Sequence, residues 1–436
     1  MRDSQIFSQK IGDGTTPKLR RFSGLTSQTI QVTLGLAVSQ LVVAVAYVIG
    51  ARATVPVELG LLVSAIAISS VAAGLVDFGL GAYLIREVAG GRTTNASMYV
   101  RLWQRLLSAG VGSALLLLAG VAAVALTDFS GKFVAWVALI FVSTLLMQSA
   151  QVPLRAHGYM GWVSLASLLD RLVFLLIVWA LTSNGVSGEI AILFGLAAGL
   201  LVDSAFCYFL NCRLVSAGNS RLLVGRTTDW FGAWKGSRGY GFAAVLGSAQ
   251  QLDVVVLGMA GGPGAAGSYG AVSRWTAPLL LPSTALTQVG MAHAPKADST
   301  FLALLNFRRV AWIIVLAMSA AILVSIFSKP IADTILGPAY KDSAQIFAVL
   351  AASIIPTLFA QPLSMVLQSR GREDHVAWIL GLGLAIRLTL CFALGLYYGG
   401  TAAAFAVLAQ QTVILAILMG LVGRVLIHEH RANRGQ

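Results

Sequence analysis

Apolar stretches of twenty or more residues alternate with short polar segments along nearly the whole chain. A helix needs about 20 predominantly apolar residues to cross the hydrocarbon core of a bilayer. Twelve segments reach that length, at residues 29–50, 58–83, 103–126, 133–154, 162–182, 188–210, 239–260, 267–291, 306–327, 343–366, 376–397 and 402–423. The pattern predicts an all-α membrane protein with 12 transmembrane helices.

Composition removes the soluble alternative. At roughly 150 residues per domain, a soluble chain of 436 residues would hold about three domains. Only 11% of the residues are charged, against about 25% in a soluble domain, and the mean hydropathy is +0.81. So few charges cannot cover a soluble surface. The 45 glycines fit a membrane bundle, because glycine lets helix backbones approach closely. A formal charge of +13 would raise the question of nucleic acid in a soluble protein. Here the basic residues sit in short segments between apolar stretches, so no nucleic-acid partner is expected.

Counting Lys and Arg segment by segment orients the chain. The N-terminal tail, every second connection and the C-terminal tail hold 23 of the 30; the alternate connections hold four, Arg52, Lys132, Lys329 and Lys341. The remaining three, Arg171, Arg274 and Arg387, lie inside spans. This alternation supports an even helix count with both termini cytoplasmic. Residues 1–28 form a polar, basic tail without an early apolar core and cleavage site, so no removable signal peptide is expected.

Catalytic and metal chemistry finds little support. Cys207, Cys212 and Cys391 lie in or beside apolar helices without CxxC spacing and read as packing residues. His428-Glu429-His430 has an i,i+2 spacing, which does not put two ligands on one helix face. A solvated tail is expected there, with no metal and no cofactor. The non-cytoplasmic loops are short, and the 211–238 stretch carries Arg and Trp but no carboxylate pair or phosphate-cradling glycine loop. A membrane glycan polymerase or ligase would need a larger loop to hold its catalytic groups, so the chain is not expected to be an enzyme.

An internal repeat sets the architecture. Thr144, Gln148, Gln151 and Arg155 fall on one helix face in the fourth span, and Thr357, Gln361, Ser364 and Gln368 repeat the spacing in the tenth at an offset of 213. Leu145 and Leu358, Leu154 and Leu367, and Gly158 and Gly371 share that offset. An offset of 210 relates Gly60 to Gly270, and one of 216 relates Arg171-Leu172 to Arg387-Leu388. The expectation is two pseudo-symmetric six-helix bundles, residues 29–210 and 239–423, joined by a cytoplasmic linker at 211–238 and followed by a tail at 424–436. Six helices return the chain to its starting side, so the halves share one orientation about an axis along the membrane normal. Rocking transporters are built that way, with a central cleft between the halves.

Three stretches carry a family resemblance. "VPVELGLLVSAIAISSVAAGLVDFGLGAYLIREVAG" resembles the opening of Wzx-type polysaccharide flippases, with a Gly-Leu start to the second helix and an Asp-Phe-Gly turn. "QQLDVVVLGMAGGPGAAGSYGAVSRWTAPLLLP" resembles their seventh and eighth helices, with an intramembrane Asp and a Pro in the eighth, and "LGPAYKDSAQIFAVLA" their approach to the tenth. The resemblance covers roughly residues 25 to 425. It places the chain in the superfamily of multidrug, oligosaccharidyl-lipid and polysaccharide exporters.

Ionisable groups at bilayer depth normally face a cavity or a partner. Arg274 reads either as a cationic contact for an anionic substrate, since the eighth helix would line the interface in the resembled family, or as a structural partner of Asp253. Arg171 reads as cleft-facing or as paired near Asp170 or with Asp203. Arg387 has no acidic neighbour within its own or the next span, which favours the cleft. Asp77 reads as a turn residue. The stripes around Gln148 and Gln361 face either the cleft or a neighbouring helix. Three arginines would suit a diphosphate, which takes several cationic donors in a low-dielectric cavity.

The resemblance therefore implies a flippase that moves a polyprenyl-diphosphate-linked oligosaccharide across a bacterial inner membrane by alternating access. That substrate would serve lipopolysaccharide or exopolysaccharide synthesis alongside a glycan polymerase and glycosyltransferases. The expected substrate contacts are Arg274, Arg387, Arg171, Asp253, Gln148 and Gln361. A multidrug or metabolite antiporter of the same superfamily is the alternative.

Overall fold

The computed structural model describes residues 25–126, 131–215, 234, 236–281, 311–337, 340, 343–369 and 372–434. Most of the 1–28 tail, most of the 211–238 linker and the side chains of His428-Glu429-His430 lie outside them. The described residues form helices and no strand. The first half holds α1 (Leu25–Arg52), α2 (Pro56–Asp77), α3 (Leu80–Ala89), α4 (Asn95–Leu126), α5 (Val134–Ala156), α6 (Met160–Ser183) and α7 (Gly188–Leu210). The second holds α8 (Arg238–Ala249), α9 (Leu252–Gly261), α10 (Pro263–Thr276), α11 (Ala311–Ile326), α12 (Ser328–Ile335), α13 (Ser343–Ser369), α14 (Glu373–Tyr398) and α15 (Gly400–Arg434). Among the described residues, nine helices are long and apolar enough to cross a membrane, or ten if the bent pair Ile314–Ile326 and Ser328–Ile335 is one span.

Where the expected spans are described they fall on a helix or a broken helix; residues 282–291 of the eighth and 306–310 of the ninth lie outside the described residues. The second does not run on to residue 83. It stops at Asp77, where Phe78 (φ 39°) and Gly79 (φ 69°) both take the left-handed conformation before α3 begins. The left-handed form costs a side-chain-bearing residue about 1–2 kcal/mol, so the corner is held by its surroundings. The seventh span breaks at Gln250 and Gln251, which places Asp253 in the first turn of α9.

The two halves pack alike. In the first, α1 packs on α6, α2 and α4 on α5, and α5 and α6 on α7. In the second, α9 packs on α14, α10 and α11 on α13, and α13 and α14 on α15. Helices α5 and α13, which carry Gln148 and Gln361, thus occupy corresponding places in the two halves. Within the halves, glycine sets the closest approaches. Gly195 and Gly199, one turn apart on α7, meet Phe174 and Asp170 of α6, the small-residue spacing by which membrane helices pack without a hydrophobic driving force.

The seam between halves is the crossing of α2 and α10. A methyl group at Gly60 would overlap the Pro263 carbonyl, and one at Gly267 would overlap the Pro56 carbonyl. These contacts are reciprocal: Pro56 and Pro263 are 207 residues apart, as are Gly60 and Gly267. The structure therefore pairs Gly60 with Gly267, one turn before the Gly270 expected from sequence. Gly270 packs against Val63 instead. Around this crossing one apolar cluster draws Tyr47, Leu62, Ile66 and Phe174 from the first half and Val254, Tyr269, Val272 and Phe347 from the second.

Candidate functional site

The polar centre of the second half is assembled from four helices. The break before α9 leaves free backbone N–H groups at its start, and Asp253 lies there, with Val254 N–H donating to Asp253 Oδ1 at 2.8 Å. A carboxylate is favoured at that position by the open donors and the helix dipole. The Tyr269 hydroxyl, from α10, donates to Asp253 Oδ2 at 2.5 Å. Arg387, from α14, forms an ion pair with Asp253 through Nη2 and also donates to Tyr269 Oη at 3.2 Å. On its other side Nη1 donates to Gln410 Oε1 of α15 at 3.3 Å. Gly383, one turn before Arg387, lets α14 lie close to α15, because a methyl group there would overlap the Ile414 side chain and press on Gln410 Cγ at 3.2 Å. Asp253, Tyr269 and Gln410 are buried.

This arrangement corrects two expectations. Arg387 does have an acidic partner, and Asp253 pairs with Arg387 rather than with Arg274. The acid comes from the seventh span, four spans earlier in the chain, and reaches Arg387 because α9 packs on α14. No site role was expected of Tyr269 or Gln410, since single Tyr and Gln residues in apolar helices carry no spacing signal.

The first half is built differently. No acidic residue occurs anywhere in α1, the counterpart of the span that supplies Asp253. Arg171 is paired with its chain neighbour Asp170, Nη1 to Oδ2 at 3.4 Å, and its side chain remains 28% exposed. The Asp170 Oδ1 atom is buried without a hydrogen-bond partner among the described residues. Asp203 does not take Arg171. It accepts both bonds of the Gln151 amide, at 3.1 and 2.8 Å, while Gln151 Oε1 accepts from Arg155 at 2.6 Å. Gln151 and Arg155 thus belong to contacts between α5 and α7, the helix-to-helix reading of that stripe. Thr144 and Thr357 alike bond back to carbonyls one turn earlier, Ile140 at 2.7 Å and Ser353 at 2.9 Å. Gln148 Oε1 and Gln361 Oε1 are buried without a partner among the described residues.

Arg274 lies on α10 at the seam. Its guanidinium sits 5.1 Å from the centre of the Tyr47 ring on α1 of the other half, and Tyr47 in turn meets Phe174 edge-on at 5.7 Å. Among the described residues it has no carboxylate partner. A further buried arginine was counted with the loops in the sequence. Arg105 lies in α4 and is fully buried, ion-paired with Asp77 and bonded through Nε and Nη2 to Ser149 Oγ at 3.1 and 2.6 Å.

No protein-family model and no curated protein matches the chain. Solved structures do match over nearly its full length. An inward-facing multidrug resistance MATE family transporter of the MOP superfamily is 13% identical and gives a TM-score of 0.66 over 92% of this chain and 98% of its own. The fold is the MATE fold. An outward-facing multidrug resistance MATE family transporter is 14% identical, with a TM-score of 0.58 over 93% of this chain and 96% of its own. A MOP superfamily transporter from Pyrococcus furiosus, described as having a binding pocket of reverse polarity, is 13% identical with a TM-score of 0.60 over 94% and 98%. In this chain's version of the MATE fold, the carboxylate that faces the arginine of the second half has no counterpart in the first span.

Proposed function

We propose that the protein is a transporter of the MOP superfamily that works by alternating access, and that its cargo is an anionic lipid-linked oligosaccharide carried on a polyprenyl diphosphate. The observation that carries this reading is the uneven charge at the centre. Arg105 and Arg387 are neutralised by carboxylates from other helices, Arg171 only by its chain neighbour, and Arg274 by none among the described residues. Arg274 rests on Tyr47 across the seam, so a cationic group stands between the halves. A diphosphate would draw on Arg274 and on the part-exposed Arg171, because guanidinium presents several donors to phosphate oxygens. Arg387 and Asp253 have a supporting role in this reading, with Gln148 and Gln361 offering acceptors to sugar hydroxyls. The basic face is cytoplasmic, and the lipid tail stays in the bilayer of the inner membrane.

The test is a strain lacking the native copy, in which surface glycan and protein abundance are measured together. Arg274→Gln and Arg171→Gln should each lower glycan severalfold at unchanged abundance. Normal glycan in the double variant would refute the cationic site. The multidrug reading is favoured by Asp170, whose Oδ1 is buried without a hydrogen-bond partner among the described residues, and it requires that drug tolerance rather than glycan depend on Asp170→Asn.

A further inference from the structure

The left-handed corner after α2 is explained by what it touches. Phe78 presents its ring edge-on to Phe242 at 6.1 Å, and Gly241 lies so close under the ring that a methyl group there would overlap it. A methyl group at Gly79 would likewise overlap the Tyr240 backbone. The Trp234 indole donates to the Val76 carbonyl at 3.0 Å, satisfying one of the open carbonyls at the end of α2. Arg86 of α3 donates to Tyr240 Oη at 2.5 Å, with its guanidinium 5.8 Å from that ring's centre. Every one of these partners lies between Trp234, at the end of the linker, where it also packs on the cluster of Leu80, Leu84 and Met98 of the first half, and Phe242, in the first turns of α8. From behind, Arg105 anchors the corner to α5: it pairs with Asp77 and bonds Ser149, and it reaches the Leu145 carbonyl at 3.4 Å. Gly81 N–H also donates to Asp77 Oδ1, at 3.3 Å.

We propose that the Asp77–Gly79 corner is a latch that holds the two halves together at the basic face, on the side where α2 meets α8, with Arg105 as the residue that positions it. The corner is rigid on the side of its own half and docked by short polar bonds on the other. Rocking the halves apart at this face breaks the Trp234–Val76 and Arg86–Tyr240 bonds and separates Phe78 from Phe242, leaving the Arg105 anchor intact. A bond of this kind contributes a net factor of about two to ten to an equilibrium, so removing one shifts the population toward opening at the basic face by that much. The latch rests on the alternating-access reading but not on any cargo.

The experiment measures spin-label distances between the halves at both ends of the molecule. Exposed His157 and Arg372 are replaced by Cys at the basic face, and exposed Asn184 and Tyr398 at the opposite face. Cys212, which is exposed, is replaced by Ser. Each pair is measured in the full chain with and without Tyr240→Phe, which keeps the ring and removes the polar bond, and Trp234→Phe, which removes the indole N–H and keeps a smaller aromatic ring. The latch predicts that the longer distance between 157 and 372 gains population, about two- to tenfold per variant, while the distance between 184 and 398 shortens in step. Two interconverting populations in the parent protein whose ratio neither variant changes would overturn the latch alone. Broadening at both ends without the opposed shifts would show loosened packing, and would overturn it too. A single fixed distance at both ends in every variant would sink the alternating-access reading itself.

Discussion

Removing Arg387 tests how the polar centre of the second half is held together. Arg387→Ala leaves Asp253 with a side chain only 4% exposed and no guanidinium beside it. Breaking a buried pair by removing one partner costs about 3–5 kcal/mol, because the surviving charge is left uncompensated. At about 1.4 kcal/mol per tenfold, that is two to three and a half orders of magnitude in the folding equilibrium. Tyr269 still donates to Asp253, which places the expected loss toward the lower end. The paired replacement Asp253→Asn with Arg387→Gln removes both charges and keeps groups able to bond to each other and to Tyr269. Its cost is expected to stay within about 2 kcal/mol, that of one or two rearranged hydrogen bonds. Unfolding of the purified protein in detergent, measured for Asp253→Asn, Arg387→Gln, the pair and the parent, gives the coupling directly, with Arg387→Ala measured beside them. The pair should be more stable than Arg387→Ala, with an interaction energy of about 2–3 kcal/mol. An Arg387→Ala protein as stable as the parent, or a paired variant no better than the sum of its singles, would refute the ion pair as the organising contact. It would also return Arg387 to the list of groups free to bind cargo.

Two further outcomes follow from the fold. Gly60→Val should disrupt the α2–α10 crossing and lower abundance sharply, because its β-carbon meets the backbone of Pro263 and not a movable side chain; Gly158→Val, with open space around the glycine but a positive φ, should cost less. A wild-type level of Gly60→Val would argue against the crossing. For orientation, Asn184→Cys should react with an impermeant thiol reagent from outside intact cells while His157→Cys is protected. The reverse pattern would overturn a cytoplasmic basic face.

Much of the organisation was legible before any coordinates. The all-helical class, the approximate places of the described spans and the two-half repeat follow from hydropathy and spacing, since each span must satisfy its own backbone in lipid whatever it packs against. The Thr144 and Thr357 stripes were placed on corresponding helices for the same reason: spacing along a helix is a local property. Breaks were harder to read. The double Gln at 250–251 and the Phe78–Gly79 corner each interrupt a continuous apolar run, and hydropathy has no term for a backbone that turns because a neighbour holds it.

Charge partners lay beyond the sequence altogether. Arg387 looked unpaired because a chain reader searches the adjoining spans, whereas Asp253 is 134 residues away and arrives through the packing of α9 on α14. Arg105 was counted with the loops because basic residues near a span end usually face water; burial by α2 and α5 made it the anchor of a corner instead. By itself the sequence determined an all-helical chain of apolar spans in two repeating halves, with cations inside those spans. Which of those cations are neutralised, and which stand at the seam, was decided only by tertiary packing, because an ion pair depends on a few ångströms between helices that the order of residues along the chain does not specify.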